Sequence, residues 1–128
     1  VCWGYENRTA ALRVPLGPPS QRRVEHRVSG ADANPYLVLA AILGAILTGL
    51  EDQKPPPPPI TSSSYALDLP SLPSSWDDAI NYFTNSAVIA RILPETLRDM
   101  LIGCKIQELH RFSGDISPFE YHSYLDQV

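Results

Sequence analysis

The stretch that most restricts what this chain can fold into is residues 36–50, YLVLAAILGAILTGL, fifteen positions without a charge. Asn34-Pro35 stands directly before it, an N-cap followed by proline at the first helical position, so a helix is expected from there to about Leu50. Apolar residues cover most of its circumference, and such a helix needs cover on nearly every side. It is shorter than the roughly 18–20 residues that cross a bilayer and lacks flanking basic residues. It therefore reads as a buried helix, with no membrane partner. A solitary domain of 128 residues struggles to supply that cover, so the helix favours a larger parent protein. The chain opens Val1-Cys2-Trp3-Gly4-Tyr5-Glu6, with neither an initiator Met nor the basic and apolar regions of a signal peptide, and is read as a fragment or a processed start.

The rest of the chain divides by composition. Residues 7–13 and 22–27 read as two strands joined by the loop Leu16-Gly17-Pro18-Pro19-Ser20, and a hairpin-like pairing is expected. Five consecutive prolines at 55–59 and the run Thr61-Ser62-Ser63-Ser64 suit a stiff surface crossover better than a PxxP ligand, because no basic residue beyond Lys54 flanks them. Residues 75–128 read as helical. Ser75-Trp76-Asp77-Asp78 resembles a capping box, with Trp76, Ile80 and Phe83 on one face. A short helix over 87–93 is expected next. Pro94 opens a longer one whose stripe runs through Leu97, Leu101, Cys104, Leu109 and Phe112. Ser117-Pro118-Phe119-Glu120 caps a last helix expected to turn Tyr121, Tyr124 and Leu125 inward. The expected organisation is thus 1–54 as sheet and buried helix, 55–74 as crossover, and 75–128 as a helical part of the same domain.

Charge is unevenly spread. The net charge is -4, yet residues 1–27 hold five of the ten cationic residues and sum to +3, leaving -7 for the remainder. That favours a local anion site over a general nucleic-acid surface. Cys2 and Cys104 are the two cysteines, with no metal-binding spacing, so reduced, cytoplasmic thiols are the default. On an extended strand Arg23, Glu25 and Arg27 share a face, and Val24 and His26 take the other. Guanidinium forks match phosphate oxygens and a carboxylate is a hard ligand for Mg2+ or Mn2+, which makes phosphoryl transfer the chemistry to look for. Arg8 and Arg13 are five apart, so Arg8 must precede the strand proper, or a bulge must intervene, if both reach one site. His26 is read as a structural histidine, His110 and His122 as surface residues, Trp3 and Trp76 as packing residues.

Asn7-Arg8-Thr9-Ala10-Ala11-Leu12-Arg13-Val14-Pro15, then Arg22-Arg23-Val24-Glu25-His26-Arg27, then Ala31-Asp32-Ala33-Asn34-Pro35-Tyr36-Leu37 resemble, in order, the motifs NR-x4-R-[IV]-P, RR-[IV]-E-x-R and A-x-NPY-[LA] of the glutamine synthetase superfamily. The form with His26 and Gly30-Ala31-Asp32-Ala33-Asn34-Pro35-Tyr36 looks closer to its γ-glutamylpolyamine synthetase branch than to the ammonia-using enzymes. The resemblance implies an α+β fold, a carboxy-terminal fragment of the catalytic domain with two antiparallel strands followed by mostly α-helices. It implies an ATP-dependent ligase that joins glutamate to an amine or ammonia through γ-glutamyl phosphate, with a homo-oligomeric parent. Carried over by residue, Arg8 and Arg13 would meet the γ-phosphate and acyl-phosphate, Arg23 the nucleotide, Glu25 one divalent metal, and Arg27 the glutamate or its transferred phosphate. Tyr5 and Glu6 stand just before the first motif, near where the family keeps a mobile flap, and receive no role. The family's other metal-binding carboxylates lie upstream of what this chain contains, so alone it is expected to be inactive. The alternative expectation is a non-catalytic structural or assembly module of the same fold.

Overall fold

The computed structural model describes residues 2–125 and 127. The chain forms two compact units, Val1–Leu72 and Pro73–Val128, and each is taken by itself.

The first unit holds a three-stranded sheet, β1 (Trp3–Tyr5), β2 (Leu12–Val14) and β3 (Glu25–His26), in that spatial order. The expected antiparallel pair is present as β2–β3, with Leu12 opposite His26 and Arg13 opposite Glu25. Its strands are shorter than expected because residues 7–11 form a turn. The Asn7 side chain builds that turn, its Oδ1 accepting from Thr9 N at 3.0 Å and Thr9 Oγ1 at 2.7 Å. A strand not expected from the sequence, β1, pairs parallel with β2, placing Gly4 beside Arg13.

The proline run is docked rather than free. Ile60 N donates to Trp3 O at 2.8 Å, and the Trp3 indole Nε1 donates to Pro57 O at 2.6 Å. Prolines lack an N–H, so this stretch chiefly accepts, and the indole supplies the missing donor. The serines continue the seam: Ser62 O accepts from Asn7 Nδ2, while Ser64 exchanges two hydrogen bonds with Thr9. The outer edge of β1 is thereby covered, which removes a template for unwanted strand pairing. Gly4 is required by this seam, since a Cβ there would lie 2.7 Å from Ile60 O.

The long helix α1 (Pro35–Glu51) begins as expected, with Asn34 Oδ1 accepting from Tyr36 N and Leu37 N. At its far end Gln53 takes φ 51°, and Lys54 N and Gln53 N donate to Gly49 O and Leu50 O, the Schellman arrangement with glutamine where glycine is usual. Tyr36, Leu39, Leu43, Ile46, Leu47 and Leu50 are each more than half exposed. The cover the sequence calls for is not supplied within this unit.

The second unit contains α2 (Trp76–Thr84), α3 (Ala87–Ile92), α4 (Glu95–Ser113) and α5 (Pro118–Tyr124). Serines cap three of them through Ser75, Ser86 and Ser117, and Ser117 with Glu120 completes a reciprocal capping box. Helices α2 and α4 pack together, the Trp76 and Phe112 rings 6.2 Å apart and Lys105 Nζ 6.0 Å from the Trp76 ring. One expectation for inward residues fails, that for α5, and the α4 stripe is exposed at its far end. Cys104 is exposed and Phe112 largely so, and Tyr121, Tyr124 and Leu125 on α5 are all more than half exposed. The periodicity marks an apolar face, but whether that face is buried depends on a neighbour, and α5 gains none of the closer helix pairings in this unit. Ala10, Pro15 and Leu93 are the buried apolar side chains among the described residues. No helix among the described residues is long and apolar enough to cross a membrane.

Two substitutions in the first unit should act in opposite directions. Gly4→Ala, forced against Ile60 O, is expected to cost about 1–3 kcal/mol, while Gln53→Gly relieves the left-handed backbone and gains up to about 1 kcal/mol. Urea midpoints of the two variants against the parent chain check both signs.

Candidate functional site

The register of β2 and β3 puts Arg13 directly opposite Glu25, and directly opposed residues share a face of the sheet. Arg13 Nη1 donates to Glu25 Oε2 at 2.7 Å. The second carboxylate oxygen, Oε1, accepts from Arg23 Nη2 at 3.1 Å, and Arg23 Nη1 also reaches Gln21 O at 3.4 Å. On the far side of Arg13, Nη2 donates to Glu6 Oε2. Glu6 is anchored twice more: its Oε1 accepts from Leu16 N at 2.6 Å and its own N–H donates to Val14 O. The result is an alternating row, Glu6, Arg13, Glu25 and Arg23, with Arg13 the most enclosed at 13% side-chain exposure.

Arg8 and Arg27 are arranged differently, and Arg22 is exposed. Arg8 lies in the turn before β2, as its five-residue separation from Arg13 requires, and is exposed. Arg27 follows β3, its backbone N–H donating to Ala11 O at 2.9 Å and its side chain exposed. Neither guanidinium has an ion pair among the described residues. The structure therefore joins Arg13, Arg23 and Glu25 into one network and leaves Arg8 and Arg27 open beside it in sequence. His26 is exposed, with Ser29 Oγ 3.5 Å from its Nδ1.

Glu6 is the member that sequence reasoning did not place. Its position depends on β1 pairing parallel to β2, and three strand residues carry no periodic signal for that pairing. The available signal was charge alone, a carboxylate just ahead of an arginine-rich motif.

The network fixes protonation states. The hydrogen bond from Arg13 holds the Glu25 carboxyl below the ordinary glutamate range, with Arg23 adding to the effect. The Leu16 N–H, and then Arg13, do the same for Glu6. Glu25, then Glu6, push Arg13 further up.

For a hard divalent cation the fit is partial. Such ions take six or more oxygens, whereas Glu25 offers one carboxylate whose two oxygens already face guanidinium groups. The described residues contain no group of three or more His, Cys, Asp or Glu side chains able to hold a metal. The described residues thus present at most one corner of a cation site.

The chain belongs to the glutamine synthetase family: the family's profile, "Glutamine synthetase, catalytic domain", matches residues 1–124. The chain is 39% identical over 118 residues to gamma-glutamylputrescine synthetase of Escherichia coli K12, covering 92% of this chain and 25% of that protein. It is 33% identical over 129 residues to glutamate–isopropylamine ligase of a Pseudomonas species, covering 98% and 28% respectively. A solved structure of GmaS without ligand superposes with a TM-score of 0.84 at 28% identity, over 98% of this chain and 30% of that one. The chain thus spans about a quarter of the length of these curated relatives.

Because both carboxyls are more acidic folded than unfolded, their contribution to stability is fully present above the unfolded glutamate value of about 4.3 and is lost as the pH falls through the lowered folded values. Arg13→Gln is expected to raise the Glu25 titration midpoint more than that of Glu6, which keeps its Leu16 donor. Side-chain carboxyl NMR titration reads both; midpoints that do not move would show that Arg13 is not their partner.

Proposed function

We propose that the whole protein is an ATP-dependent ligase that forms a γ-glutamyl amide, and that this chain supplies the guanidinium wall of its active site. In the first step a γ-carboxylate oxygen of glutamate bonds to the γ-phosphorus of ATP and ADP leaves. In the second, an amine nitrogen bonds to the acyl carbon, phosphate departs with the C–O bonding pair, and the nitrogen loses a proton. Both steps move negative charge over phosphate oxygens, and pre-placed cations stabilise that charge without reorganising.

The observation that carries this reading is the contrast within the arginines: Arg13 and Arg23 are tied to Glu25, while Arg8 and Arg27, like Arg22, present guanidiniums with no ion pair among the described residues. On this reading Arg8 and Arg13 steady the transferring phosphoryl group, Arg27 meets glutamate or its phosphate, and Arg23 lies along the nucleotide. Glu25 is one oxygen ligand of Mg2+ or Mn2+ within a set completed by residues outside this chain. Bound there, the cation would offset phosphate charge. The two relatives named above carry putrescine and isopropylamine in their names, which supports an organic amine, a polyamine first among candidates, over ammonia as the acceptor. The uncovered apolar face of α1 supports burial against the rest of the catalytic domain and neighbouring copies in a homo-oligomer. A cytoplasmic location fits the need for ATP and glutamate.

The test is phosphate release by the full-length protein with glutamate, Mg-ATP and a panel of amines. Amine-dependent release is expected, and Arg8→Gln or Arg27→Gln should each lower kcat by about 100-fold or more, the scale of losing one charge-stabilising donor. No release with any amine, ammonia included, would leave a non-catalytic module of the same fold as the correct reading.

A further inference from the structure

We propose that Glu6 is a positioning residue of the ligase reaction, acting through Arg13: together with Glu25 it fixes the plane of the Arg13 guanidinium so that the remaining Nη hydrogens face the phosphoryl group. The inference rests on the ligase reading above.

Three observations carry it. First, Glu6 is held rather than swinging. One oxygen takes the Leu16 N–H at 2.6 Å and the other takes Arg13 Nη2, so the carboxylate has a fixed direction set by backbone. Second, the residue sits at φ 49°, a left-handed conformation that glycine or asparagine adopts at lower cost. From that place the glutamate side chain takes two hydrogen bonds, which offset the cost of its backbone conformation. Third, the arithmetic of Arg13 is asymmetric. A guanidinium has five N–H donors; one goes to Glu25, one to Glu6, and Nε is buried without an acceptor among the described residues. Two Nη hydrogens are left, and with a carboxylate on each Nη the plane that carries them cannot rotate. With Glu25 alone the guanidinium is held at one nitrogen and can pivot about that bond. Glu6 also balances charge, since the row of Glu6, Arg13, Glu25 and Arg23 sums to zero and leaves the net positive charge of this stretch to Arg8, Arg22 and Arg27.

Glu6→Gln is the informative change. The amide keeps an acceptor for Leu16 N–H, so the local fold is retained, but the ionic hold on Arg13 is lost. In the full-length protein kcat is expected to fall about tenfold or more, the scale of one charge-assisted hydrogen bond, with KM for glutamate changed less than about threefold. If Glu6 acts through Arg13, adding Glu6→Gln to Arg13→Gln produces no further loss in kcat. Additive losses, or an unchanged kcat in the single variant, would overturn the proposal. A structure of the full-length Glu6→Gln protein gives a readout independent of activity. Arg13 is expected to turn away from its wild-type place or to split between conformers, and an unmoved guanidinium would overturn the positioning role. Should the wild-type protein release no phosphate with any amine, the ligase reading fails by itself, and the Arg13 comparison still decides whether Glu6 holds that side chain.

Discussion

The cross-strand pair of Arg13 and Glu25 is the contact on which the site depends. It exists because β2 and β3 meet in one register, and a slip of one residue would send the two side chains to opposite faces. Everything else in the row is attached to it: Arg23 to the second oxygen of Glu25, Glu6 to the second nitrogen of Arg13. The turn built by Asn7 then sets Arg8 ahead of the strand, and the end of β3 releases Arg27. A sheet of eight strand residues thus organises four charged groups by pairing rather than by burial.

So little sheet needs external support, and the crossover provides it. The proline and serine stretch has limited donor capacity, and Trp3 and Asn7 supply the donors that seat it against β1 and the turn. The same seam that protects the sheet edge therefore anchors the turn that carries Arg8. Apolar cover is a separate matter. Helix α1 exposes much of its apolar surface in this chain, and Ala10, Pro15 and Leu93 are the buried apolar side chains among the described residues. A thin interior beside a long apolar helix is what a share in a larger core leaves behind.

The helices were legible because their signals are local. Asn34-Pro35, Ser75, Pro94 and Ser117-Pro118 each mark a boundary through the backbone donors they satisfy or lack, and all four open helices within a residue of the expected place. The arginine and glutamate positions were legible through the order of three motifs, and their hairpin-like pairing followed from the short loop between them. What escaped was long-range. Strand β1 has three residues and a parallel partner, so neither alternation nor a turn announces it. Glu6 was missed with it. The inward direction assigned to Tyr121, Tyr124 and Leu125 failed for a related reason, since a helical stripe says which residues share a face and not what lies across from it.

The central proposal is that this chain supplies a guanidinium wall for phosphate, with Arg8, Arg13 and Arg27 as its contacts and Glu25 holding Arg13 in place. A structure of the full-length protein bound to Mg-ADP and a stable analogue of γ-glutamyl phosphate tests it most directly. The account predicts the guanidinium nitrogens of all three arginines within hydrogen-bonding distance of phosphate or glutamyl oxygens, with the Arg13–Glu25 pair intact. Phosphates held by other groups, with Arg8 and Arg27 still facing solvent, would contradict it.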